Sequence, residues 1–282
     1  MSEQQSIDIT ELAFLEGMFP IRLMQLGFRL LQVIDEAGRD QYRYVAPPVC
    51  DVPAGPFLMG SDKQRDPDAK DNELPQHEID LPSFQIGAYP VTVLEYACFV
   101  QATNHAAPED WSNQQQHANH PVVSVSWLDA LDYARWLAQM TGEPWRLPTE
   151  AEWEKAARGV DGRIFPYGDQ WDNMQADTLP YTPTPVGTYA NNVSPYGAYD
   201  MAGNVWEWTS TIFDEQQFPY PYQSDDGREN DADTTSYRVL RGGSWLNAPQ
   251  YVRTAFRYSY QPDYFDDSVG MRLGVSVAAG TR

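Results

Sequence analysis

The chain is 282 residues long, room for one large domain or two small ones with an ample core. Nine tryptophans and seventeen tyrosines fit a loop-rich globular fold pinned by large side chains better than a helical bundle. Forty acidic against nineteen basic residues give a net charge of −21, which argues against a phosphate backbone or an anionic membrane as partner because either would repel it.

Residues 1–45 read as an N-terminal extension. Ile7 to Leu26 has helix-like apolar spacing interrupted by Gly17 and Pro20, and Phe28–Ile34 and Gln41–Val45 look like two strands joined by a turn. Such a hairpin is expected to cover a sheet edge. The main domain, 46–282, opens with a short strand over Val52–Gly60, a polar loop over Ser61–Glu78 and a strand over Ile79–Ile86. Thr92 and Glu95 have capping-box spacing, with Val93, Tyr96, Ala97 and Val100 at helical intervals behind them. A second helix follows Ser126 and Asp129 and stops at Gly142; a third runs from Thr149 and Glu152 to Arg158. From Gly162 onward the sequence predicts short strands broken by Gly, Pro, Asn and Asp. Helices first and a loop-dominated antiparallel sheet after them define an α+β fold.

The two cysteines, Cys50 and Cys98, form no disulfide framework and are expected to be free thiols. The N-terminus lacks the basic and apolar regions of a signal peptide, and no apolar run approaches about 20 residues. The expectation is a cytoplasmic chain with no nucleic-acid and no membrane partner.

Local composition singles out one stretch. Six aromatics lie between Tyr251 and Phe265, framed by Arg241-Gly-Gly-Ser-Trp245 and Gly270-Met-Arg-Leu273. Together with His120-Pro-Val-Val-Ser-Val-Ser-Trp127, Arg146-Leu-Pro-Thr-Glu-Ala-Glu-Trp153 and Met201-Ala-Gly-Asn-Val-Trp-Glu-Trp208, these motifs resemble the formylglycine-generating-enzyme (sulfatase-modifying factor) domain over about residues 47–275. The resemblance implies a C-type-lectin-like fold with little regular secondary structure.

It also implies where chemistry would sit. Enzymes of this type place two copper-binding cysteines three and eight residues after the serine of Gly-Gly-Ser; here those positions are Asn247 and Val252, neither able to supply a thiolate, so no copper is expected. The related sulfoxide synthases hold iron through histidines of an added N-terminal domain, whereas residues 1–45 contain no histidine. His120 sits in a family motif, where a hydrogen-bonding role in the core is expected. The chain is more similar to the variable proteins of diversity-generating retroelements, whose C-terminal segment is mutagenised at template adenines. Leu246, Ala248, Tyr251, Phe256, Tyr258, Tyr260, Tyr264, Phe265, Asp266 and Asp267 are all residue types reachable from an asparagine codon changed at its first two adenines. With Asn247, they make up the expected ligand-binding segment, about 246–267.

Phe256, Tyr258 and Tyr260 alternate, so an extended chain puts them on one face, either an inward layer or an exposed surface. The resemblance makes Arg253 and Arg257 framework residues that face inward to carboxylates, which favours the exposed surface for the aromatics. The reading is a protein that is not an enzyme and that presents these side chains to a protein or other macromolecular ligand. Alternatives are an oxidoreductase with a non-cysteine metal site and an undiversified partner-binding module. The resemblance further implies a structural calcium site built from Asp200, Gly203, Val205 and Glu207, whose anionic and carbonyl oxygens suit a hard cation.

Overall fold

The computed structural model describes residues 4–6, 21–34, 40–176, 178 and 182–277. Residues 7–20 of the helix-like stretch expected over Ile7–Leu26, and most of the turn before Asp40, lie outside these residues. Strands β1 (Gln4–Ser6), β2 (Arg29–Ile34) and β3 (Asp40–Ala46) form an antiparallel sheet of their own, preceded in part by the short helix α1 (Ile21–Gln25). Among the described residues, these strands pair with no strand of the main domain. The extension's apolar side chains Leu23, Phe28, Leu30, Tyr44 and Val45 are instead buried in one cluster with helix α2 (Val93–Thr103). Burial of these large apolar side chains against α2 is what holds the extension on the main domain.

Strands β4 (Val49–Val52) and β5 (Gly55–Met59) replace the single opening strand that the sequence predicts. The next expected strand also divides, into β6 (His77–Leu81) and β7 (Phe84–Gly87), because Pro82 has no N–H to give to a ladder. Strand β5 pairs with β6. Strand β7 lies in a second sheet ordered β4-β7-β13-β8, with β8 at Trp145–Arg146 and β13 at Gly274–Ser276.

The three capping boxes form as expected. Thr92, Ser126 and Thr149 have extended backbone and accept from the amides of Glu95, Asp129 and Glu152, whose carboxylates bond back. Helix α4 (Trp127–Thr141) ends at Gly142 in the left-handed region (φ 73°), and α5 (Glu150–Arg158) ends at Gly159. A short helix between α2 and α4 in the chain, α3 (Trp111–Gln114), has no counterpart in the sequence reading. Beyond α5 the described residues contain no α-helix.

The sheet that carries the aromatic stretch is ordered β11-β10-β9-β12, from strands β9 (Trp206–Ile212), β10 (Arg238–Arg241), β11 (Tyr258–Tyr260) and β12 (Val269–Met271). Every residue of β9 and β10 is buried. Two indoles stitch this sheet to the start of α4: Trp127 Nε1 donates to the Thr209 carbonyl and Trp208 Nε1 to the Val125 carbonyl, each at 2.9 Å. The platform under the stretch is thus held on both sides by buried, satisfied polar contacts.

Candidate functional site

The segment after β10 is shaped by Gly242 and Gly243, both at positive φ (92° and 69°). A Cβ on Gly243 would lie 2.5 Å from Val252 Cγ1 and 2.9 Å from the Tyr251 carbonyl, so only glycine lets the returning chain approach this closely. Ser244 and Asn247 then close a turn, the Asn247 Oδ1 accepting from the Ser244 amide (2.8 Å) and hydroxyl (2.9 Å).

Beneath the segment lies a row of buried arginines. Arg241 pairs with Glu154, which also meets Arg158 at 2.6 Å. Arg253 binds Glu73 through two nitrogens at 2.7 Å and Asp66 at 2.6 Å. Arg257 makes a two-point contact with Glu150 at 2.8 and 2.9 Å. The Arg241 and Arg158 guanidiniums hold the Glu154 carboxyl below its ordinary value against the opposing effect of burial. Burial alone would make these charges costly; the paired hydrogen bonds offset that cost and fix the backbone above them.

On that base the rings form a continuous series. Tyr251 meets Phe256 edge-on (5.3 Å), Phe256 packs near Trp206 (6.0 Å), and Trp206 stacks with Tyr258 (5.5 Å, 28°). Tyr258 contacts Tyr260 edge-on at 5.2 Å, and Tyr260 stacks on Tyr264 at 3.6 Å. Tyr251, Tyr258, Phe265 and Leu246 are exposed, by 37%, 43%, 45% and 59%. Ala248 and Asp267 are exposed too, and Asn247, Tyr260, Tyr264 and Asp266 are half-buried.

Phe256 departs from the expectation. Its ring is 6% exposed and belongs to the core, because β11 begins only at Tyr258 and the turn before it breaks the period-2 alternation. Phe256 and Trp206 are therefore the buried footing of the series, and Trp206 is a participant that sequence reasoning missed. Its place in the Met201–Trp208 motif was the available signal.

A cleft of about 250 Å³ opens beside this face, lined among others by Glu109, Asp110, His117, His120, Trp245 and Asp267. The His117 and His120 rings are 4.9 Å apart. Burial, with His117 adding to it, pushes the His120 imidazole down to about 4, so it is neutral at pH 7. His120 thus borders a cavity rather than serving only as a core residue. The indole nitrogen of Trp245 is buried and has no hydrogen-bond partner among the described residues.

The metal expectations fare differently. Val252 is fully buried with Phe165, Ala176 and Ala202, and the Asn247 amide oxygen is committed to Ser244. Neither position fits a thiolate-held copper ion. Cys50 and Cys98 are free thiols on β4 and α2, and burial pushes the Cys98 thiol up to about 12.

The calcium set is corrected at Glu207. Its carboxylate is fully buried and receives Arg272 at 2.8 and 2.9 Å and the Trp153 indole at 2.5 Å. A neighbouring guanidinium cancels the charge a cation would need, so Glu207 is a structural partner of Arg272. Asp200, in the left-handed region at φ 59°, accepts from the Gly187 amide at 2.7 Å, and the Gly203 amide donates to the Gly242 carbonyl. Val205 is fully buried.

These features define a C-type-lectin-like α+β domain of the formylglycine-generating-enzyme type. A family model described as a sulfatase-modifying factor enzyme 1-like domain matches residues 36–277, and the chain belongs to that family. It is 33% identical to hercynine oxygenase of Mycolicibacterium smegmatis over 80% of its own length, and spans about 60% of the length of that relative. It is 34% identical to the formylglycine-generating enzyme of Streptomyces coelicolor, covering 78% of this chain and 87% of that one. Among solved structures, PvdO from Pseudomonas aeruginosa superposes with a TM-score of 0.72 at 25% identity, covering 82% of this chain and 95% of the other. Treponema denticola variable protein 1 shares the fold at a TM-score of 0.62 and 18% identity, over 83% of this chain and 95% of the other.

The expectation that the chain is not an enzyme is overturned by these relatives, which are named as enzymes and match most of the chain at 33–34% identity. Loss of one cysteine pair was too narrow a basis for it, since one fold supports several chemistries.

Proposed function

We propose that this domain binds a protein ligand across the aromatic face formed by Tyr251, Tyr258, Tyr260, Tyr264 and Phe265. The observation that carries the reading is the unbroken series of ring contacts from Tyr251 to Tyr264, anchored on buried Phe256 and Trp206 but left open at Tyr251 and Tyr258, with Phe265 exposed next to Tyr264 in sequence. Rings held this way offer large contact area with little rotamer entropy left to lose, which is how tyrosine-rich recognition surfaces gain affinity. Of the segment's expected variable positions only Phe256 is buried, which supports diversification of the kind found in retroelement variable proteins. A template repeat beside a reverse-transcriptase gene would be its genomic counterpart.

The enzyme relatives favour a second reading, in which the ligand gripped by this face is a substrate. Panning a random-peptide display library on the protein separates the possibilities. Enriched peptides should bind the wild type at least ~10-fold more tightly than a Tyr258→Ser/Phe265→Ser variant whose melting temperature is within about 2 °C. Enrichment indifferent to those substitutions overturns the assignment. Oxygen uptake on adding an enriched peptide with a thiol reductant assigns the face to substrate docking.

A further inference from the structure

We infer that the groove between the N-terminal extension and the β4-β7-β13-β8 sheet binds a free apolar α-amino acid, with Arg29 taking its carboxylate, Glu143 its ammonium group and Trp145 its side chain. The groove is separate from the aromatic face, none of whose residues lines it.

The register of two sheets builds this groove. In the extension, Arg29 pairs with Ala46 and Leu31 with Tyr44, so these four side chains share one face. In the main domain, Gln85 pairs with Val275 and Val275 with Trp145, which puts those three side chains in one row. Both sets border a single opening of about 310 Å³. Glu143 joins them from the turn between α4 and β8, where its amide donates to the Thr141 hydroxyl at 3.1 Å. Val49 of the edge strand β4 also lines the groove and is 37% exposed, while Leu31 and Trp145 are half-buried, so apolar surface is left open here.

Charge complementarity decides the occupant. Arg29 and Glu143 are exposed, and among the described residues neither forms an ion pair. The other side chains that line the groove are uncharged. Asp51, next in the same cross-strand row, is occupied by the Gln85 amide at 2.8 Å. One unspent guanidinium and one unspent carboxylate over an apolar wall match a ligand with both charges on a small head and an apolar tail. A lone carboxylate would meet Glu143 as well as Arg29, and the net charge of −21 would repel it over long range. A lone amine would meet Arg29. A zwitterion carries no net charge and escapes both penalties. The opening is about twice the ~150 Å³ of a cavity that accepts benzene, which suits one aliphatic or aromatic amino acid and excludes a folded element.

The test titrates L-leucine, L-methionine and L-phenylalanine into the full-length protein and follows the Trp145 indole N–H resonance, assigned by its loss in Trp145→Phe. At least one amino acid should give a saturable shift with a dissociation constant on the order of 1 mM. The N-acetyl and amide derivatives of the tightest binder, each lacking one of the two charges, should bind at least ~10-fold more weakly. Arg29→Gln and Glu143→Gln should each weaken that amino acid by about 10-fold. Because both side chains are exposed, the melting temperatures of these variants should stay within about 2 °C of the wild type. No saturable shift with any of the three amino acids, equal binding of either derivative, or indifference to either substitution overturns the inference.

Discussion

Glu229 is the most informative place to perturb the base of this domain. Its carboxyl group is buried where Ser210 (2.5 Å), Thr211 (2.6 Å) and Tyr222 (2.8 Å) donate to it. Desolvation outweighs those three hydrogen bonds, and nearby Glu150 adds repulsion, so the group is pushed up from 4.5 to about 7. The unfolded chain ionises near the ordinary carboxylate value while the folded chain keeps the proton until about pH 7. Between those limits the native state binds more protons than the unfolded state. This stabilising contribution is therefore fully present below the unfolded value and is lost as pH rises through the folded one. At about 1.4 kcal/mol per pH unit across the window, the loss amounts to ~3 kcal/mol. Glu229→Gln keeps the shape and most of the hydrogen bonding but cannot ionise. Urea unfolding of both proteins at intervals from pH 4.5 to 8 isolates the effect as a difference, even though Glu95, also pushed up to about 7, and His120, pushed down to about 4, contribute to each curve alone. The variant should gain on the wild type by about 3 kcal/mol between pH 4.5 and 7.5 and stay level above that. A difference flat in pH would refute the assignment of a protonated Glu229.

Two further expectations follow from the same buried network. Arg253→Met leaves Glu73 and Asp66 without their shared cation and should lower unfolding free energy by roughly 3–5 kcal/mol, measured by urea denaturation at pH 7; a loss under about 1 kcal/mol would show that the pair does not anchor the segment. With the Glu207 charge met by Arg272, melting temperatures in EDTA and in millimolar calcium should agree within about 2 °C. A rise of several degrees in calcium would restore the site that the sequence suggested.

What could be read in the chain beforehand depended on how local its cause was. The three capping boxes each involve residues three apart, and Thr92, Ser126 and Thr149 open helices as expected. The inward direction of Arg253 and Arg257 was also legible, because the resemblance makes them framework residues of the family, expected to meet carboxylates below the aromatics. Phe256 was not, since the start of β11 two residues later depends on pairing with β10, far off in sequence. The cleft was hidden for the same reason: residues 109–123 meet Trp245 and Asp267 only when the fold closes. Glu207 illustrates a converse error, in which an acidic motif next to glycine suggested a cation while its actual counter-charge, Arg272, lay 65 residues away.

The separation between the arginine row and the rings above it has a corollary for substitution. Stability at 253 and 257 is settled with Glu73, Asp66 and Glu150 on the inner side, whereas Leu246, Tyr251, Tyr258 and Phe265 touch the interior only in part. On the reading of this face as a ligand-binding surface, substitutions at Leu246 and Phe265 would alter recognition at modest thermodynamic expense, since exposed positions away from buried contacts typically tolerate exchange within about 0.5 kcal/mol. On that reading the outer positions can be exchanged while the foundation at Arg253 and Arg257 stays put.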